Sequence, residues 1–182
     1  ATVLGRVTAA GDVGRLAALL RPCELRAAVE LSKVRQVLLD DVLLVSVDCL
    51  GTYDVESYAR LSRELEDPAQ PALEKARRGT VEPIEGFSFR SACTMCERPV
   101  PSVSEEGDKP LADVAIGLLG LPNDETLWLA VSDEALGERL GVQEAAEPEE
   151  RREAVAALIE ERTAERDRRF QAILPLRGKI LN

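Results

Sequence analysis

Four cysteines carry the chemistry this sequence offers: Cys23, Cys49, and the pair Cys93 and Cys96 in "FRSACTMCERPVP". The C-x-x-C spacing of that pair serves zinc, iron–sulfur and dithiol redox centres alike. The chain contains no histidine. That removes Cys/His zinc fingers, Ser-His and Cys-His nucleophile pairs, and imidazole acid–base chemistry. Any metal has to be held by thiolates and carboxylates. Zinc ribbons usually combine two C-x-x-C knuckles, whereas one knuckle plus two isolated cysteines better suits an iron–sulfur cluster assembled by the fold. The bland alternatives are buried free thiols and a Cys93–Cys96 disulfide, the latter disfavoured in a reducing compartment.

The flanking residues predict elements that would bring these thiols together. "LAALL" (16–20) is a short apolar run that reads as a strand, and it stops at Arg21-Pro22-Cys23. "ELRAAVELSKVRQVLL" (24–39) has helical spacing, with Leu25, Ala28, Val29, Leu31, Val34 and Leu38 on one stripe. "VLLVSV" (42–47) is a continuous β-branched and leucine run, the pattern of a parallel strand buried on both faces. Strand, helix, strand at this spacing is a βαβ unit. Cys23 then follows one strand and Cys49 the next, so both lie at the carboxyl edge of the sheet, where open α/β sheets bind ligands. A helix N-terminus at Cys23 favours thiolate. The C-x-x-C loop can close over the same edge.

Further along, "DVESYARLSRELED" (54–67) predicts a helix ended before Pro68, and residues 68–86 a long Pro- and Gly-rich connection. "ADVAIGLLG" (112–120) and "TLWLAV" (126–131) are two more strands. "SDEALGERLG" has a Ser/Asp cap and a closing Gly141. "PEERREAVAALIEERTAERDRRF" is a long helix rich in acid–base pairs. The fold class expected is α/β, a short, mostly parallel sheet flanked by helices with a long charged C-terminal helix. Residues 1–15 show no clear period and read as a leader or the remnant of a larger N-terminal part. Residues 16–145 read as the cysteine-bearing α/β domain, and 146–182 as the charged helix and a basic tail.

Composition narrows the function classes. At 182 residues with 45% hydrophobic content, the chain can bury a core without disulfides, built from Leu, Val and Ala because aromatics are only 3%. No 18-residue apolar run is present, so no membrane insertion is expected, and no signal peptide is visible, which favours a cytoplasmic setting. The formal charge of −10 argues against general nucleic-acid binding.

Three segments, "RPCELRAAVELSKVRQ", "VSVDCLGTY" and "CTMCERPVP…ADVAIGLLG", together resemble the beta subunits of deazaflavin-coenzyme hydrogenases and dehydrogenases, including formate dehydrogenase beta subunits. The likeness runs from about Leu16 to Gly120 and contains every cysteine. It implies an α/β fold and one 4Fe–4S cluster ligated by Cys23, Cys49, Cys93 and Cys96. It further implies electron transfer between a catalytic hydrogenase or dehydrogenase subunit and a soluble carrier, with FAD and the deazaflavin coenzyme as associated cofactors. On this resemblance Glu24, Arg26, Gly51, Thr52 and Glu97 flank the ligands and are candidates to tune them. No flavin-binding residue is assigned.

The tail "RDRRFQAILPLRGKILN" (166–182) instead resembles a segment of the type II topoisomerase B subunit. From Arg162 to Asn182 there are six Lys or Arg against two Asp or Glu, but the acidic magnesium-holding motif of those enzymes is absent. The leading expectation is therefore an iron–sulfur electron-transfer subunit or domain. Two alternatives stand beside it: a non-redox domain with a four-cysteine zinc or free-thiol site, and a nucleic-acid-associated protein acting through the tail.

Overall fold

The structure, a computed structural model, describes residues 2–9, 14–103 and 111–176. Strands β1 (Leu16–Leu20), β2 (Val42–Val47), β3 (Val114–Gly117) and β4 (Trp128–Val131) form one sheet in that order. β1, β2 and β3 are parallel, and β4 runs antiparallel to β3. The helices are α1 (Thr2–Ala9), α2 (Pro22–Lys33), α3 (Val55–Glu64), α4 (Ala69–Arg77), the single turn α5 (Ser91–Thr94), α6 (Glu134–Leu140) and α7 (Glu149–Ile173). This is the α/β class expected, with a mostly parallel sheet and a long C-terminal helix.

The register pairs Leu16 with Val42, Ala18 with Leu44 and Leu20 with Ser46. Because side chains alternate along a strand, these residues share one face. On it Leu4 of α1 and Ala28 of α2 join Val37 and Val42 as a buried core. The opposite face is covered less well. Leu19 is 66% exposed, and in β2 only Val42 and Ser46 are fully buried. β2 is thus not buried on both faces as its run of apolar residues predicts, since α6 packs beside β4 at the far edge of the sheet.

Local chemistry explains where the remaining elements differ from expectation. α2 starts on Pro22, which has no N–H to leave unpaired in the first turn. It stops at Lys33 rather than continuing to 39. Arg35 takes the left-handed conformation at φ 58°, and the Gln36 N–H closes onto the Leu31 carbonyl at 2.9 Å. Val34 and Leu38, counted on the helical stripe, are 63% and 52% exposed, while Val37 turns into the core. The segment expected as a leader contains α1, anchored by buried Leu4 and by Thr8 Oγ1, which accepts the Leu38 N–H at 3.2 Å.

Residues 68–86, expected as a connection, hold α4. Its Pro71 lies in the first turn, where proline is tolerated. Ala76 is fully buried with Leu119 and Leu158 in a second core, against which Leu50, Ala154 and Val155 pack. Leu158, Ala154 and Val155 belong to α7, so the charged helix is packed into the α/β unit rather than appended beyond residue 145. α6 carries the expected caps, Asp133 accepting the Leu136 N–H at 2.9 Å and Gly141 closing it at φ 67°, and α3 is capped by Asp54, which accepts the Ser57 N–H at 2.9 Å. No helix among the described residues is long and apolar enough to cross a membrane.

Candidate metal centre

Cys23 is the second residue of α2, directly after β1, and Cys49 lies two residues beyond the end of β2. Parallel pairing puts both at the carboxyl edge of the sheet. Ser46 ties the strand ends together, its hydroxyl donating to the Leu20 carbonyl at 2.8 Å. The segment carrying Cys93 and Cys96 is drawn onto this edge by backbone bonds. The Cys49 N–H donates to the Pro99 carbonyl at 2.7 Å, and the Arg90 N–H to the Thr52 carbonyl at 2.9 Å. Thr52 Oγ1 and Cys93 Sγ share a hydrogen bond at 3.1 Å.

An aromatic cluster holds the hinge of this arrangement. Tyr53 packs edge-on to Phe87 at 6.1 Å and tilted against Phe89 at 5.2 Å, while its hydroxyl accepts the Ile84 N–H at 2.8 Å. Arg60 stacks over the Phe87 ring at 4.4 Å. Gly51 adopts φ 86° under Phe89, and a Cβ there would lie 2.7 Å from ring carbons. Only glycine permits both the conformation and the approach.

The electrostatics show which thiols sense one another. Burial pushes the Cys49 thiol up, opposed by a hydrogen bond from the Gly51 backbone; the neighbouring charges of Cys23 and Cys93 raise it further, and Arg162 lowers it. Cys96 follows Cys93 by three residues, its N–H directed at the Cys93 carbonyl at 3.4 Å, and lines a surface cavity with Arg26, Ala92, Glu97 and Ile159. All four cysteines are free thiols. The expected disulfide alternative at 93–96 is thus not formed in this structure. The sulfurs share an edge without closing into a cage: among the described residues, no group of three or more Cys, Asp or Glu side chains is disposed to hold a metal ion.

No protein-family model matches the chain, and no curated protein does.

The flanking residues divide by what they touch. Gly51 and Thr52 bond to Cys49 and Cys93 respectively. Glu24 and Glu97 each hold an arginine instead. Glu24 accepts from Arg21 Nη2 at 2.6 Å, Nε at 3.0 Å and the Arg21 backbone N–H at 3.1 Å, and that bonding lowers its carboxyl to about 2. The same bond, with smaller help from Cys23 and Cys49, holds the Arg21 guanidinium above its ordinary value. Glu97 pairs with Arg166 of α7, and one turn further Arg169 Nη2 donates to Thr94 Oγ1 at 3.1 Å. Arg26 lines the cavity next to Cys96. Sequence reasoning missed Arg21 and Arg162, and it placed Arg166 and Arg169 in a tail with no bearing on the cysteines. Residues 177–182 of that tail lie outside the described residues.

The donor set, all sulfur and no imidazole, is of the chemical type that suits a thiophilic metal or an iron–sulfur cluster. Cys23, Cys49, Cys93 and Cys96 would hold it.

Proposed function

We propose that this chain is an iron–sulfur electron-transfer subunit or domain, with one 4Fe–4S cluster ligated by Cys23, Cys49, Cys93 and Cys96. The observation that carries the reading is that parallel β1 and β2 bring Cys23 and Cys49 to one carboxyl edge, onto which the Thr52–Cys93 and Cys49–Pro99 hydrogen bonds draw the C-x-x-C segment, in a chain without histidine. When bound, such a cluster supplies one-electron storage and transfer. The protein's own part is to gather and hold the sulfurs. β1 and β2 deliver Cys23 and Cys49, the Thr52 hydroxyl fixes Cys93, and the Tyr53–Phe89 contact presses the intervening loop down. Arg21 and Arg162 contribute positive charge near Cys49, which favours thiolate and would offset the negative charge of a thiolate-ligated cluster.

In this reading the physiological partners are a catalytic hydrogenase or dehydrogenase subunit and a soluble carrier such as a deazaflavin coenzyme, with hydride chemistry left to a flavin such as FAD. The setting is reducing and cytoplasmic.

Anaerobic reconstitution followed by iron and acid-labile sulfide analysis tests the proposal. Wild-type protein is expected to be brown with about four irons and about four sulfides per chain, and Cys93→Ala to lose them while keeping its fold. One zinc per chain with no sulfide would establish the four-thiolate structural site in its place.

A further inference from the structure

α7 carries two fully buried arginines, Arg151 and Arg162, each only 4% exposed. Eleven residues separate them, which is three turns and about 16 Å along the axis, so both lie on the same face of the helix. Arg151 has carboxylate counter-charges, although its Nε is left without a hydrogen-bond partner. It grips Asp48 with Nη1 at 2.6 Å and Nη2 at 3.1 Å, and Nε lies 2.9 Å from Glu147 without hydrogen-bond alignment. Arg162 has no carboxylate within ion-pairing distance among the described residues. A buried guanidinium without a counter-charge is costly.

The surroundings of Arg162 indicate what meets that charge. Arg151 reaches Asp48, the residue before Cys49. Leu158, one turn before Arg162, packs in the core that Leu50 joins, the residue after Cys49. One turn beyond Arg162, Arg166 pairs with Glu97, and Arg169 bonds Thr94. Thr94 lies between Cys93 and Cys96, and Glu97 follows Cys96. Arg162 thus lies on the helix between contacts to both sides of Cys49 and contacts to Thr94 and Glu97 of the C-x-x-C segment. Resting on the function proposed above, we infer that Arg162 is a positioning residue of the metal centre, a buried cation whose counter-charge is the thiolate set itself. It has no structural partner because the bound centre is its partner.

Cobalt(II) binding to the apo protein, followed by thiolate-to-metal charge-transfer absorption, tests this alongside urea unfolding of the apo chain. Removing an interaction that supports ligands from outside typically weakens metal affinity ~10–100-fold. R162M is expected to weaken cobalt binding by about that factor, and R162K to recover most of it, since the charge is restored. Apo R162M is expected to unfold at the same or a higher urea concentration than wild type, because an unpaired buried charge has been replaced by an apolar chain. An R162M protein that binds cobalt as tightly as wild type overturns the inference. So does one whose apo form has lost its cooperative unfolding transition, since Arg162 would then be holding the fold. If wild-type protein takes up neither cobalt nor a cluster, the function proposed above falls and takes this inference with it. Normal wild-type binding with an unaffected R162M removes only the role of Arg162.

Discussion

Asp48 and Cys49 are neighbours in the chain, and each faces a buried arginine of α7, but the two sites are built to different ends. The Asp48 site is closed. One carboxylate accepts both Arg151 Nη groups together with the Leu118 and Leu119 N–H groups at 2.8 and 3.0 Å, and Gly117 leaves room for the guanidinium to lie over β3. Every charge is met by another, and the result locks β2, β3 and α7 together. The Cys49 site is open by the same measure: a thiol that burial pushes up, an arginine with no carboxylate partner among the described residues, and no group of three or more Cys, Asp or Glu side chains there disposed to hold a metal ion. A buried carboxylate–guanidinium pair of the Asp48–Arg151 kind is a fold device.

Perturbing the two sites should separate these roles. The largest effect is expected at the closed site. Asp48→Ala leaves Arg151 buried without its main partner and two backbone N–H groups without an acceptor, a loss of about 3–5 kcal/mol. Urea unfolding should show it in the apo protein as well as in the loaded one. Next is Gly51→Ala, which must adopt a left-handed conformation and displace the Phe89 ring. Its expected cost is about 1–3 kcal/mol, together with reduced cluster loading, because the bend that presents Cys49 and Thr52 is altered. If Gly51→Ala lowers stability but leaves metal uptake unchanged, the bend belongs to the fold alone. Asp54→Ala removes the α3 cap one residue beyond Tyr53 and should cost about 1 kcal/mol, measured by thermal unfolding, with no change in metal affinity.

The smallest effect concerns pH. Glu24 is depressed to about 2 by its bonds to Arg21, from an ordinary value of 4.5. The stability this contributes is therefore complete above the ordinary value and vanishes as pH falls through about 2. The pair is more than a third exposed, so its worth is under about 1 kcal/mol. The stability difference between wild type and Glu24→Gln should be constant near neutrality and shrink between about pH 4.5 and pH 2. A difference that grows on acidification would contradict the assignment.

Much of the fold was legible because parallel strands announce themselves. "LAALL" and "VLLVSV" became β1 and β2, and Cys23 and Cys49 at their exits followed from topology alone. The reading failed where periodicity misleads. Val34 and Leu38 continued a helical stripe past Lys33, where the helix ends, and the left-handed backbone of Arg35 that follows has no signature in the apolar pattern. α4 was hidden by prolines that a first turn accommodates. The site was half legible for a related reason. The inward face of α7 places Arg151, Leu158 and Arg162 in register, so the helix reads as charged all round although its buried face is specific. An arginine at a core position carries no hydrophobic signal. Its spacing of eleven residues from another arginine was the only trace available.

The central claim is that Cys23, Cys49, Cys93 and Cys96 form one centre rather than a pair and two bystanders. Alkylation footprinting by mass spectrometry on anaerobically reconstituted protein tests it directly, before and after chelation of the metal. The account predicts that all four thiols are protected together and released together. Protection confined to Cys93 and Cys96, with Cys23 and Cys49 alkylated as fast in the loaded protein as in the apo form, would contradict it.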